Sequence, residues 1–199
     1  MDFDQNKNTF ECMGVVDYYS NNKLFEPEKQ ILSIIQDGLC GSKVLDLGVG
    51  AGRTTPYFSK NTELYVGIDY SSDMIKKCNE RYGNHKNIIF KVADARQLSN
   101  INDDYFDLVL FSYNGLDYMN ITDRTKSLQE ISRVLREGGG FIFSTHNLNN
   151  IPMMLKLYTG INPKVYFRRL IKVIKLVYHN GLSIKYENLD YHSFKDNSH

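Results

Sequence analysis

The sequence predicts an α/β fold: a mostly parallel, doubly wound sheet with helices on both faces. Short apolar runs alternate along the chain with helix-like segments, which is typical of parallel strands joined by crossover helices. A glycine-rich turn follows the first run directly, and the later runs end in polar residues; both features favour a sheet that binds a ligand at one edge. The five predicted strands span residues 44–46, 64–68, 88–93, 106–111 and 141–145.

A helical segment is predicted before the first strand. Pro27 suits the first turn of a helix, where its missing N–H is harmless. Apolar residues at helical spacing follow it, and Gly38 or Gly41 is expected to end the helix. These apolar positions are Ile31, Leu32, Ile34, Ile35 and Leu39.

The first predicted strand runs into a glycine-rich turn with the sequence VLDLGVGAGRTT, residues 44–55. The turn lies between Asp46 and a helix predicted over residues 53–60. Glycine lets backbone N–H groups approach a ligand closely, because no Cβ stands between them. We therefore predict a ligand site here, built around Gly48, Gly50 and Gly52.

Polar residues follow the other predicted strands at the point where each one ends. Asp69 ends the second strand, about 20 positions after the glycines, the offset expected for an acid that binds a ribose hydroxyl. Asp94 follows the third strand, Ser112 the fourth and His146 the fifth. Because the carboxyl ends of parallel strands share one edge of a sheet, these residues are expected to converge there.

Two further helices are predicted between the strands. Ser71 or Ser72 can cap a helix that runs to about Tyr82. Thr122 or Asp123 can cap a later helix, which Gly138–Gly140 would end. The apolar face of the later helix consists of Leu128, Ile131, Val134 and Leu135.

Composition excludes several classes of protein. Hydrophobic residues make up 42% of the 199 residues and charged residues 24%, as in ordinary globular domains. The net charge of +1 gives no global attraction to nucleic acid or acidic membranes. Three widely spaced cysteines make neither a disulfide framework nor a metal-ligand pattern, which favours the cytoplasm. No run approaches the ~18 apolar residues of a membrane span, and no metal site is predicted.

Five ordered motifs resemble those of class I S-adenosylmethionine-dependent methyltransferases. They are VLDLGVGAGR at residues 44–53, GIDYS at 67–71, VADA at 92–95, FDLVL at 106–110 and RVLREGGG at 133–140. The resemblance implies a Rossmann-like sheet that binds S-adenosylmethionine and releases S-adenosylhomocysteine. It also implies methyl transfer to an oxygen, nitrogen or carbon nucleophile, most simply on a small molecule.

The resemblance assigns expected contacts to the cofactor. Asp46 would lie near the ammonium group and Gly48 and Gly50 near the methionine part, while Asp69 would accept hydrogen bonds from the ribose hydroxyls. Asp94 and the Ala95 backbone would bind the adenine amino edge, and Tyr70 and Met74 would pack against the ring. The remaining expected cofactor residues are Gly52, Phe111 and Ser112.

Catalysis of methyl transfer rests mainly on alignment of the donor with the acceptor. Where the acceptor must lose a proton, His146 is the candidate base, because imidazole titrates near neutral pH. An edge histidine with a purely structural role is the alternative. Tyr113 is a second candidate, for orienting the acceptor.

Two other functions remain open from the sequence alone. A dinucleotide-dependent oxidoreductase could use a glycine turn of this kind, but the spacing here is Gly-x-Gly-x-Gly, not Gly-x-Gly-x-x-Gly. A cofactor-bound, RNA-associated protein could use the basic amphipathic helix predicted over residues 164–179, although a solvated helix face is the simpler interpretation.

The predicted organisation places an N-terminal helical lid at residues 1–40 and the cofactor-binding core at residues 41–147. Residues 148–199 are expected to add a basic helical cap and a terminal strand to the same domain. The resembled family usually closes its sheet with two further strands, whereas only residues 184–194 are strand-like here. The sheet is therefore expected to lack its last strands, and the oligomeric state stays open.

Overall fold

A computed structural model describes residues 23–146 of the chain. The chain divides into two compact units, residues 2–144 and residues 145–199 with Met1. Residues 1–22 of the predicted lid, the basic helix and the terminal strand lie outside the described residues. Within them, the strands are β1 (Lys43–Leu47), β2 (Leu64–Asp69), β3 (Ile88–Val92), β4 (Phe106–Phe111) and β5 (Leu135–Phe143). The helices are α1 (Glu26–Ile35), α2 (Thr55–Phe58), α3 (Ser72–Tyr82) and α4 (Ile121–Val134).

The five strands form one parallel sheet in the order β3-β2-β1-β4-β5. This confirms the predicted α/β class. The order reverses beside β1, which pairs with β2 on one side and with β4 on the other. Such a reversal leaves a crevice at the carboxyl ends of the strands, where ligands of open α/β sheets bind. The glycine turn follows β1 at this point.

The apolar core forms two clusters, and successive residues of a strand belong alternately to one cluster and to the other. Val44 and Tyr65 belong to the first cluster, and their chain neighbours Leu45 and Val66 belong to the second. Because successive side chains of a strand point to opposite faces, the two clusters cover the two faces of the sheet. Helices α1 and α3 contribute to the first cluster and α4 to the second, as predicted for a doubly wound sheet.

The helix after the glycine turn is shorter than predicted. The sequence suggested residues 53–60, but α2 is a single turn from Thr55 to Phe58. Positive φ angles at Gly52 (81°) and Asn61 (62°) confine a right-handed helix to the residues between them, and only four of those residues are helical. The backbone therefore turns sharply on both sides of α2.

The caps and faces of the other helices agree in part with the prediction. Ser71 caps α3, since its Oγ accepts a hydrogen bond from the Met74 N–H. The cap of α4 is Asn120, not Thr122 or Asp123, because its side chain accepts from the Asp123 N–H at 2.9 Å. Two residues predicted on buried faces, Ile34 and Leu128, are exposed.

The start of β5 also differs from the prediction. Helix α4 ends at Val134 and Leu135 already pairs with Phe106 of β4, so the glycines at 138–140 do not end the helix. They lie within β5, where the register shifts between the Phe106 and Leu108 pairings. The strand is therefore longer than the predicted residues 141–145 and irregular in its first half.

Candidate cofactor-binding site

The glycine turn after β1 has a conformation that other residues rarely adopt. Gly48, Gly50 and Gly52 have φ angles of 64°, 55° and 81°. A Cβ added to Gly48 would lie 3.1 Å from the Phe111 ring, and one added to Gly52 would lie 2.9 Å from the Tyr82 ring. A Cβ on Gly50 would meet no atom of the described residues within 4 Å. The turn therefore packs closely against aromatic rings at Gly48 and Gly52, whereas no described residue covers Gly50.

Asp69, at the end of β2, holds the turn in place. Its Oδ2 accepts a hydrogen bond from the Gly50 N–H at 2.9 Å, and its Oδ1 accepts one from the Ser71 N–H at 2.9 Å. Burial raises the pKa of this carboxyl to about 6, against the lowering effect of the backbone donors. A carboxylate offers about four acceptor sites, so both oxygens can still accept from a ligand hydroxyl.

Asp46, near the end of β1, is fully buried. Its Oδ2 accepts hydrogen bonds from the Thr54 hydroxyl and the Tyr65 hydroxyl, each at 2.5 Å. Its Oδ1 accepts none from the described residues. Burial is the largest influence on this carboxyl and raises its pKa to about 6. Such an oxygen suits a cationic ligand group, which would supply the missing partner.

The raised pKa values of these two carboxyls predict how the stability of the ligand-free protein depends on pH. The pKa of each carboxyl in the folded state, about 6, lies above the ordinary aspartate value of 3.8, so the folded state binds more protons than the unfolded state between these two pH values. Stability is therefore lost as the pH rises through 6, by ~1.4 kcal/mol per carboxyl between pH 5 and pH 7. Asp46→Asn should remove about half of this dependence, as measured by urea unfolding at both pH values. An unchanged dependence in the variant would contradict the assignment to Asp46.

Asp94 follows β3 and is already paired. Both its oxygens accept hydrogen bonds from the Arg96 guanidinium, at 2.5 to 3.0 Å. Arg96 also forms an ion pair with Asp123 of α4 at 3.0 Å. Asp94 and the adjacent Ala95 are partly exposed. The predicted contacts of both residues with adenine stay predictions, and the contact of Asp94 would be shared with Arg96.

The two predicted adenine-packing residues lie near Asp69 in the chain. Met74 is buried in the first turn of α3 and belongs to neither described core cluster of the sheet. Tyr70 is partly exposed. These positions are compatible with the predicted role, which stays a prediction for both residues.

The segment after β4 is held in an unusual backbone conformation. Tyr113 and Asn114 both have positive φ angles, 57° and 59°, and such strain often accompanies functional sites. The Tyr113 ring stacks on Phe25 with 5.4 Å between centroids. Phe111 is buried against Gly48 and Gly115, and Ser112 is partly exposed. The expected cofactor contacts of Phe111 and Ser112, and the acceptor role of Tyr113, stay predictions.

Arg53 links the glycine turn to α1, a contact that the sequence did not reveal. Its guanidinium pairs with both oxygens of Glu28, the second contact being 2.6 Å long. The same guanidinium lies over the Phe25 ring at 4.5 Å and near the Tyr113 ring at 5.7 Å. The partners are 25 positions apart, so no local pattern could have indicated the pair.

His146 belongs to the unit that begins at Thr145 and is partly exposed. Its predicted role as a base stays a prediction. Within residues 23–146, no helix has the length and apolar character needed to cross a membrane. The same residues contain no group of three or more acidic, histidine or cysteine side chains that could hold a metal ion.

A glycine turn held by a buried acid of the next strand, at the reversal of a parallel sheet, defines a class of nucleoside-binding α/β proteins. Comparison with known proteins narrows the class. A family model described as a methyltransferase domain matches residues 44–139. The chain is 34% identical to a demethylmenaquinone methyltransferase of Corynebacterium kroppenstedtii, over 69% of this chain and 54% of that protein.

A second relative is matched over more of its length. The chain is 30% identical to the ubiquinone/menaquinone biosynthesis C-methyltransferase UbiE of Hydrogenovibrio crunogenus, over 92% of this chain and 70% of that protein. A solved S-adenosylmethionine-dependent methyltransferase of Mesorhizobium loti is 25% identical, with a TM-score of 0.53 over 60% of this chain and 54% of that one. The chain belongs to the class I S-adenosylmethionine-dependent methyltransferases.

The cofactor of this family is S-adenosylmethionine, and the described residues fit it. Among residues 23–146, no atom lies within 4 Å of a Cβ placed on Gly50 and none is hydrogen-bonded to Asp46 Oδ1, which offers the cofactor room and a counter-charge. The chain spans just over half the length of the Corynebacterium relative. Neither the oxidoreductase nor the RNA-associated alternative is favoured by these comparisons.

Proposed function

We propose that this protein transfers a methyl group from S-adenosylmethionine to an oxygen, nitrogen or carbon nucleophile of a small molecule. The observation that carries the proposal is the conformation of the turn at Gly50. Its N–H donates a hydrogen bond to Asp69, and no described atom lies within 4 Å of the position that a Cβ would take. The names of the relatives support the reaction class, since one is a demethylmenaquinone methyltransferase and the other a C-methyltransferase of ubiquinone/menaquinone biosynthesis.

Each residue at the strand ends binds a different part of the cofactor. Asp69 accepts hydrogen bonds from the ribose hydroxyls with its remaining acceptor sites, and Asp46 faces the ammonium group with its unpaired oxygen. Asp94 and Ala95 bind the adenine edge. When bound, the cofactor supplies a methyl group already activated by the positive sulfur. The protein therefore mainly holds donor and acceptor in line and excludes water.

The acceptor side of the site rests on the end of β4. The strained backbone at Tyr113 and Asn114 presents a fixed surface beside the glycine turn, which suits the orientation of an acceptor. His146 takes the proton of an acceptor that must lose one. Cys40 and Cys78 are both free thiols, which supports a reducing, cytoplasmic compartment for this reaction.

The test compares two alanine substitutions with the same backbone cost. Gly50 and Gly41 both have positive φ angles, 55° and 70°, and a Cβ on either meets no described atom within 4 Å. Gly50→Ala places a methyl group where the cofactor lies and should weaken S-adenosylhomocysteine binding about tenfold or more. Gly41→Ala should lose similar stability, ~1–2 kcal/mol, with binding unchanged.

The measurements are calorimetric titration with S-adenosylhomocysteine and thermal unfolding of both variants. Equal affinities of Gly50→Ala and Gly41→Ala would show that the ligand does not use this turn. Wild-type protein that binds no S-adenosylhomocysteine would contradict the proposed function as a whole.

A further inference from the structure

Tyr65 is a buried polar group that the sequence analysis did not single out. It lies on β2, fully buried in the first apolar cluster. Its hydroxyl donates a 2.5 Å hydrogen bond to Asp46 Oδ2 and shares a 3.2 Å hydrogen bond with the Thr55 hydroxyl. Burial and the charge of Asp46 raise the pKa of Tyr65 well above 10. Tyr65 therefore remains a hydrogen-bond donor throughout the physiological range.

The hydrogen bonds to Asp46 are unevenly divided between its two oxygens. Oδ2 accepts from both Tyr65 and Thr54, whereas Oδ1 accepts from none of the described residues. A buried, unpaired carboxylate oxygen is costly, and native structures keep such atoms mainly where a function uses them. The two donors fix the carboxyl through one oxygen and leave the other oxygen available.

The electrostatic surroundings of Asp46 are defined by few groups. Arg53 of the glycine turn favours the ionised form and Glu28 of α1 opposes it. On β4 the residue paired with Asp46 is the apolar Leu110. The thiol of Cys78 on α3 also interacts with Asp46, and its pKa is raised mainly by burial. The net result is a carboxyl whose pKa is raised to about 6.

We propose that Tyr65 is a positioning residue of the cofactor site: with Thr54 it fixes the Asp46 carboxyl, whose free oxygen binds the ammonium group of the cofactor, and binding releases a proton from that carboxyl. The inference rests on the proposed function, because it needs a ligand with an amino acid part. It adds a proton-linked step and two residues, Tyr65 and Thr54, to the site.

The proton balance of the step is simple. In the ligand-free protein below pH 6, Asp46 carries a proton. The incoming ammonium group is already a cation, so its ion pair with Asp46 requires the carboxylate, and the carboxyl O–H bond breaks as the proton leaves to solvent. No electron transfer or further reactant is involved. The coupling must fade at higher pH, where Asp46 is ionised before the ligand arrives.

The first experiment measures proton release on binding. Full-length protein is titrated calorimetrically with S-adenosylhomocysteine in pairs of buffers with different ionisation enthalpies. We expect release of about half a proton per ligand at pH 6 and almost none at pH 8. Methylthioadenosine, which has the adenosyl part without the amino acid, should bind with no comparable release at pH 6.

The second experiment removes the Tyr65 hydroxyl. Tyr65→Phe takes one donor from the Asp46 carboxylate and should raise its pKa by about one unit. Affinity for S-adenosylhomocysteine should then fall about fivefold at pH 6 and approach the wild-type value at pH 8. Tyr57 is partly buried against the same apolar cluster, so Tyr57→Phe is the matched control and should leave the pH profile unchanged.

A second variant protects the test against a folding defect. Thr54→Val removes the other donor to the same oxygen and should shift the profile in the same direction. If both variants weaken binding by one constant factor from pH 5.5 to pH 8, the two hydroxyls are merely structural and the inference is wrong. Binding without proton release at pH 6, or equal release with methylthioadenosine, would also overturn it. Complete absence of binding would instead contradict the proposed function.

Discussion

Replacing Asp69 by alanine is expected to abolish measurable cofactor binding. In the proposed complex this carboxylate accepts from two ribose hydroxyls, and hydrogen bonds to a charged group contribute ~1.5–3 kcal/mol each. Loss of both lowers the affinity for S-adenosylhomocysteine by about 100-fold or more. The substitution also frees the Gly50 N–H, so the turn loses the contact that fixes its central residue.

Asp69→Ala should change the free energy of unfolding much less than the free energy of cofactor binding, because two effects on stability oppose each other. Removal of a buried carboxyl with a raised pKa stabilises the folded state at pH 7. Leaving the Gly50 and Ser71 N–H groups without their acceptor destabilises it. The variant should therefore fold, with far-ultraviolet circular dichroism like that of the wild type.

Asp73 provides the matched control for this prediction. It lies four positions later, exposed in the first turn of α3, so Asp73→Ala changes the same net charge without touching the turn. Calorimetric titration should show binding for Asp73→Ala and none for Asp69→Ala. If Asp69→Ala bound S-adenosylhomocysteine with wild-type affinity, Asp69 would not be part of the cofactor site.

The strands and their common ligand edge could be predicted because their signals are local. Each apolar run is followed within a few residues by its polar end, and the spacing from Gly48 to Asp69 reflects one strand-turn-helix-strand unit. The convergence of Asp46 and Asp69 on the glycine turn follows from the same local pattern, whereas the strand order was not predicted, because it depends on pairing between distant segments. Boundaries were less accurate, as at α2, where only Thr55–Phe58 of the predicted residues 53–60 are helical.

The partners of the buried polar side chains could not be predicted, because they come from distant parts of the chain. Asp46 is bonded to Tyr65, 19 positions away, and Arg53 is paired with Glu28, 25 positions away. One signal was available for Tyr65. A tyrosine within an otherwise apolar strand must find a partner for its hydroxyl when buried, and the acid on the neighbouring strand was the nearest candidate.

The second large effect is expected at the ion pair that ties α1 to the glycine turn. The side chains of Arg53 and Glu28 are only 10% and 13% exposed. Glu28→Gln leaves the guanidinium, which lies beside the stacked rings of Phe25 and Tyr113, without its counter-charge. Breaking a buried pair in this way costs ~3 kcal/mol. For a domain of this size the melting temperature should fall by about 6–12 °C.

Glu26 offers a control on the same helix turn. Its carboxylate pairs with Lys29 at 3.2 Å, and both side chains are well exposed, so Glu26→Gln should cost less than ~0.5 kcal/mol. The double substitution Glu28→Gln with Arg53→Met removes the unpaired charge as well and should recover part of the loss. Differential scanning calorimetry of the three variants measures their melting temperatures and tests this prediction. Equal melting temperatures for Glu26→Gln and Glu28→Gln would mean that the pair is solvated and does not hold α1 to the turn.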